Sequence, residues 1–253
     1  MKFLANLDLI YLLVSRDLKV RYKNSFFGYI WAIANPLAFA VIYYFAFKVI
    51  LRIEVENYSS YLLIGLFPWM WVSNSLIVTS VAFRVNISLI RTTKIKPYLL
   101  VFSGVMNEMV HFLFAIPVLI LVLLYSEQSL YLSWLWQLPV LIILQAILLT
   151  PLGIILSSFN IVLRDIEYLV GIAMTMLFFL TPIVYPINLV PDSYQAIYHV
   201  NPFVYLIDVW HKVLLNGYIP MLSMAYLLIF SFITSIISYG LYSKNIRKAA
   251  EYL

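Results

Sequence analysis

The chain has 253 residues, 64% of them hydrophobic and 11% charged, with a mean hydropathy of +0.96. Soluble domains run at roughly 45–50% apolar and ~25% charged, so one water-soluble core cannot hide this excess and an all-α polytopic membrane protein is expected. The absence of Cys excludes disulfides, thiolate metal sites and a cysteine nucleophile. None of the 7 Gly belongs to a GxxxxGK or GxGxxG loop, so the chain has no nucleotide cradle of its own, and the net charge of +5 reads as membrane-surface charge rather than nucleic-acid binding.

In chain order, residues 1–28 come first. Asp8, Arg16, Asp17, Lys19, Arg21 and Lys23 interrupt the apolar run and exclude a cleavable signal peptide. Leu7, Ile10, Tyr11, Val14 and Leu18 recur at helical spacing, which predicts an amphipathic helix lying in the headgroup plane. Six spans are expected, at 29–51, 61–83, 98–125, 134–162, 169–185 and 221–242. The basic segment Arg84 to Lys96 follows the second span, and the turn Arg164-Asp165 follows the fourth. Residues 186–220 carry Pro191, Pro202 and Pro220 and are less apolar. Asp192 and Asn201 are possible caps of two short helices there, which predicts a re-entrant or surface hairpin on the outer side. A cytoplasmic tail, 244–253, closes what reads as a single transmembrane domain.

Every Lys and Arg except Lys48, Arg52 and Lys212 falls on one side of this arrangement. Basic residues collect on the cytoplasmic face, so both termini are placed inside. Two residues inside the third span need an explanation, because an ionisable group there costs ~2.5–3.5 kcal/mol on insertion scales. Glu108 and His111, three apart, share one helical face. They suit a proton relay or a metal ligand pair; the plainer reading is a polar pair that satisfies itself, since the other histidines, His199 and His211, lie in the outer hairpin and a metal site needs three or four ligands. No HExxH or GxSxG motif is present and no catalytic residue is assigned.

Aromatic residues make up 17% of the chain. Interfacial belts account for Trp31, Trp134, Trp136 and Trp210. They leave Trp69, Trp71 and the row Phe39, Tyr43 and Phe47, whose spacing of four puts them on one face. Phe178, Phe179 and Tyr185 add rings to the fifth span. Packing or lipid contact explains any single ring; a row of rings also makes a track along which sugars, with an apolar C–H face and a hydroxyl rim, can slide. In the basic inner segment, Arg84 and Arg91 are the residues best suited to a diphosphate, because guanidinium pairs with phosphate oxygens in bidentate fashion. The alternative is surface charge that sets topology.

The run Arg21-Tyr22-Lys23-Asn24-Ser25-Phe26-Phe27-Gly28-Tyr29-Ile30-Trp31, closing at Asn35-Pro36, resembles the opening motif of ABC-2 type export permeases, with Phe27 where Leu is commoner. Thr181-Pro182-Ile183-Val184-Tyr185-Pro186, Asn201-Pro202-Phe203 and Val162-Leu163-Arg164-Asp165-Ile166 resemble later parts of that family in the same order. The nearest members are polysaccharide (O-antigen) exporters of the Wzm and TagG kind. The resemblance implies a homodimer in the bacterial plasma (inner) membrane, with two copies of a separate subunit that binds ATP and Mg. It implies a cargo of polysaccharide on undecaprenyl diphosphate. Two copies would enclose a passage lined by Phe39, Tyr43, Phe47, Trp69, Phe178 and Tyr185. Arg21, Lys23, Arg84, Arg91 and Lys94 would meet the ATPase or the lipid diphosphate. Competing expectations are an ABC-2 exporter of teichoic acid, capsule, drug or small lipid, and an intramembrane lipid-modifying enzyme using Glu108 and His111.

Overall fold

A computed structural model describes residues 2–23, 28–93 and 95–252, and no strand occurs among them. Helix α1 (Lys2–Tyr22) leads through a 3₁₀ turn (Gly28–Ile30) into α2 (Trp31–Tyr43), which continues as a π-helical stretch (Tyr44–Ile50). Then follow α3 (Tyr58–Ser80), the short α4 (Ala82–Val85) and α5 (Ile87–Thr92), α6 (Tyr98–Tyr125), α7 (Trp134–Val162) and α8 (Ile166–Phe179). A 3₁₀ turn (Ile187–Leu189), α9 (Asp192–Val200), α10 (Pro202–Asn216) and α11 (Met221–Tyr252) complete the order.

Five of the expected spans are long and apolar enough to cross a membrane: Trp31–Ile50, Tyr58–Ser80, Tyr98–Tyr125, Trp134–Val162 and Met221–Lys244. At ~1.5 Å per residue, the 28 residues of α6 reach about 42 Å against a hydrocarbon core of ~30 Å. The remaining expected span, 169–185, differs: its helix α8 begins earlier, at Ile166, and stops at Phe179 after 14 residues, about 21 Å. Pro182 supplies the reason, since it has no N–H to give and its ring collides with the carbonyl of Phe178. The chain instead tightens, Ile183 N–H donating to the Thr181 carbonyl at 2.7 Å.

Helix α3 is the axis of the bundle. It packs against α6, α7, α8 and α10, while α11 packs along α7 and α10. Helices α3, α6 and α7 approach closely: a Cβ on Gly153 would sit 2.6 Å from Thr79 Oγ1 and 2.8 Å from Val101 Cγ1. Small residues allow such backbone approach, which in a bilayer replaces the hydrophobic drive for helix association. Several polar groups in this core pair across helices. Gln145 on α7 donates to the Pro68 carbonyl at 3.0 Å and accepts from Trp210 Nε1 on α10 at 2.9 Å, and Trp71 Nε1 donates to the Val105 carbonyl at 3.1 Å.

The outer hairpin is embedded rather than draped. Phe203, Leu206, Ile207, Trp210, Val213 and Leu214 of α10 are all buried. Asn201 caps α10 as its position before Pro202 predicts, its Oδ1 accepting from the Phe203 N–H at 3.0 Å. Asp192 does not cap α9. It is the first helical residue, and its carboxylate accepts from Gln195 Nε2 at 2.9 Å instead.

Candidate functional site

Helices α2, α3 and α8 enclose a cleft of about 290 Å³ lined by Phe39, Tyr43, Trp69 and Phe178 among others. Tyr43 lies 5.0 Å from Phe178 between ring centroids and 6.2 Å from Phe39; Trp69 lies 6.1 Å from Phe178. Four of the six rings singled out from the sequence therefore converge. Phe47 extends the row by one turn, 6.4 Å from Tyr43, and packs on the core edge. Tyr185 lies elsewhere: its hydroxyl meets Tyr198 of α9 at 2.7 Å and donates to the Phe179 carbonyl, so it ties the outer segment to α9.

That outer segment is fastened from several sides. Tyr58 and Tyr61 donate to the carbonyls of Val184 and Pro182 at 2.8 and 3.1 Å, and Asn201 Nδ2 donates to the Leu180 carbonyl at 3.1 Å. His211 of α10 sits between the Tyr61 and Ile207 carbonyls at 2.9 and 3.0 Å. Burial lowers its pKa below the ordinary histidine value, and the two carbonyls and Asp208 oppose that shift.

A second cleft, of about 450 Å³, lies on the other flank of α2, between α1, α3 and α6. Here the residues Glu108 and His111 find partners, though not in each other. Arg21 pairs with Glu108 at 2.8 Å, and the Tyr22 hydroxyl meets His111 Nδ1 at 3.0 Å. Glu108 is only 1% exposed, so its charge is held where an unpaired carboxylate would be expensive. The last turn of α1 is thus clasped to the middle of α6. The sequence gives one hint, a lone acid in an apolar span that requires a cation; nothing in it says that the cation stands 87 positions earlier. Residues 24–27 of the opening motif lie outside the described residues.

On the basic face, Arg84 is already engaged. It donates through Nε to Asn160 Oδ1 at 2.9 Å and through Nη2 to the Glu167 carboxylate, joining α4 to the ends of α7 and α8. A phosphate at this position would have to displace Glu167. Arg91 on α5 and Lys23, just after α1, are exposed, and Lys94 lies outside the described residues. Among the described residues, no three His, Cys, Asp or Glu side chains group to hold a metal ion.

A family model described as ABC-2 type transporter matches residues 8–215. The chain belongs to this family. It is 38% identical over 246 residues to a protein of Klebsiella pneumoniae named O-antigen export system permease protein RfbA, covering 97% of this chain and 95% of the relative. A Myxococcus xanthus protein of the same name is 28% identical over 211 residues, 82% and 80% of the two chains. The polysialic acid transport protein KpsM of Escherichia coli is 25% identical over 231 residues, 90% and 89% of the two chains. The protein is therefore a multi-pass membrane permease subunit of an ABC transporter, and ATP hydrolysis belongs to a separate ATP-binding partner.

Proposed function

We propose that this permease exports an O-antigen type polysaccharide, carried on undecaprenyl diphosphate, across the bacterial plasma (inner) membrane. Two copies act with two copies of the ATP-binding subunit, which holds ATP and Mg. Both termini are cytoplasmic, and α8 together with the embedded segment after it completes a sixth crossing. The facing α2 and α8 helices of the two copies enclose the passage.

The observation that carries this reading is the convergence of Phe39, Tyr43, Trp69 and Phe178 on a cleft beside α2, a span whose window is only 11% buried in the single chain. Lined by rings, such a passage holds a sugar chain through many weak, shifting contacts and no fixed one. The names of the relatives support the cargo class. The relative named for polysialic acid transport favours, as the second reading, a capsule-type polysaccharide.

Replacing Phe39→Ala and Tyr43→Ala together tests the assignment in cells that assemble the polymer inside. Surface polysaccharide is expected to fall at least tenfold while permease level and copurification with the ATPase hold. Unchanged surface polymer contradicts the lining.

A further inference from the structure

The cleft at the α1 clasp is larger than the aromatic one, and the four clasp residues Arg21, Tyr22, Glu108 and His111 form part of its wall. We propose that it binds the first sugar of the lipid-linked saccharide before the polymer enters the passage. The inference rests on the export reading above and adds to it a site and a ligand class.

Three observations favour a neutral, hydroxyl-bearing ring. First, the cleft holds a buried polar atom with nothing to bond. His111 uses Nδ1 on Tyr22, and its buried Nε2 has no hydrogen-bond partner among the described residues. A polar atom withdrawn from water without a partner is costly, and more so at membrane depth, so it marks a place where a ligand completes the bonding. The carboxamides of half-buried Asn74 and exposed Asn35 line the same cleft and add donors and acceptors within it. Second, Arg21 and Glu108 cancel each other, so the lining has no net charge to attract a free anion. A sugar hydroxyl can both accept from a guanidinium and donate to a carboxylate. Third, Trp31, Phe67, Trp71 and Phe112 form the apolar walls, matching the C–H faces of a pyranose. The volume of about 450 Å³ falls within the usual range of small-molecule sites.

The position fits the order of events. Asn35, Met70, Asn74 and Ile77 line both this cleft and the aromatic one, so the two adjoin across a shared wall beneath α2. A sugar held at His111 and Asn74 is therefore one step from the rings at Tyr43 and Phe178. On this proposal the cleft takes the sugar alone and leaves the diphosphate and lipid outside it.

The test uses the permease with its ATP-binding partner in lipid nanodiscs and two probes: farnesyl diphosphate, and farnesyl diphosphate carrying one N-acetylhexosamine. The sugar-bearing probe is expected to bind about tenfold more tightly, the worth of one or two net hydrogen bonds. Asn74→Ala and His111→Phe are each expected to remove most of that preference and to leave affinity for bare farnesyl diphosphate unchanged. Asn35→Ala, at an exposed position, gives the same result without disturbing the clasp. Equal affinity for both probes, or a full preference retained in all three variants, overturns the proposal; the cleft is then filled by a lipid chain. If the wild-type transporter exports polymer yet shows no sugar preference, the site alone is wrong. If it exports no saccharide at all, the export reading fails and this site with it.

Discussion

Helices α2 and α3 are almost equally apolar, with mean hydropathies of 1.6 and 1.5 over their spanning windows, yet 72% of the α3 window is buried and only 11% of the α2 window. Hydropathy decides that a helix enters the bilayer; it does not decide what the helix touches there. The difference lies in shape and polar content. Helix α3 carries Gly65, Ser75 and Thr79, which let other helices approach. A Cβ on Gly65 would sit 3.2 Å from both His211 Cε1 and the Ile183 carbonyl. Along α2 and its π-helical continuation, exposed Val41, Ile42 and Phe45 offer a bulky outer face, while the inner side of α2 leaves a cleft on each flank. One helix holds the subunit together, and the other leaves a bulky apolar face uncovered in the single chain, the face the proposed passage and second copy would use.

The comparison can be broken most forcefully where α7 crosses α3. Gly153→Leu drives a side chain into Thr79 and Val101, and a loss of at least ~3 kcal/mol is expected, read as failure to accumulate or a collapse of the melting temperature in detergent. A folded, normally stable variant would show that the α3–α7 crossing is looser than described. Next comes Gln145→Leu, which strips the partner from Trp210 Nε1 and from the Pro68 carbonyl. A destabilisation of about 1–3 kcal/mol is expected in the same melt.

The clasp comes third. Glu108→Gln leaves Arg21 without its counter-charge, and the expected cost is about 1–2 kcal/mol because Arg21 is partly exposed. The reversed pair Arg21→Glu with Glu108→Arg should recover part of that loss, and a double-mutant cycle measures the coupling. A coupling of zero would mean that the ion pair does not hold α1 to α6. The smallest effect belongs to α2: Val41→Ala with Ile42→Ala should change the melt by less than ~0.5 kcal/mol per site, since neither side chain is buried in the single chain. Dimer recovered after crosslinking should nevertheless fall. If the melt falls steeply and the dimer does not, α2 packs within its own subunit after all.

How much of this the sequence could show varies with distance along the chain. Spans at 98–125 and 134–162 match α6 and α7 end to end, because Pro97 and Ser133 stand just before long, predominantly apolar runs. The all-helical fold follows from the same runs. The row Phe39, Tyr43 and Phe47 is a local property of one helix, and its rings do stand in register. Where α8 ends is less legible, because hydropathy continues past Phe179 while Pro182 stops the hydrogen bonding. Asn201 announces its cap through the Asn-Pro pair, whereas Asp192 finds a side-chain partner one turn on and leaves the cap unmade. Pairings between distant residues are hidden altogether: Arg21 with Glu108, Arg84 with Glu167 and Trp210 with Gln145 depend on which helices become neighbours. Arg84 shows the consequence, since its charge reads as open for a phosphate until Glu167 is seen beside it.

The central claim is that two copies meet across α2 to enclose the ring-lined passage. The chain contains no cysteine, so single introduced thiols report contacts cleanly. Oxidative crosslinking in native membranes, with the ATP-binding partner coexpressed, should compare Val41→Cys with Phe232→Cys on α11, both 68% exposed in the single chain. Disulfide-linked dimer at position 41 and monomer at position 232 is the result the account predicts. Dimer through position 232 with position 41 silent would put α2 against lipid and contradict it.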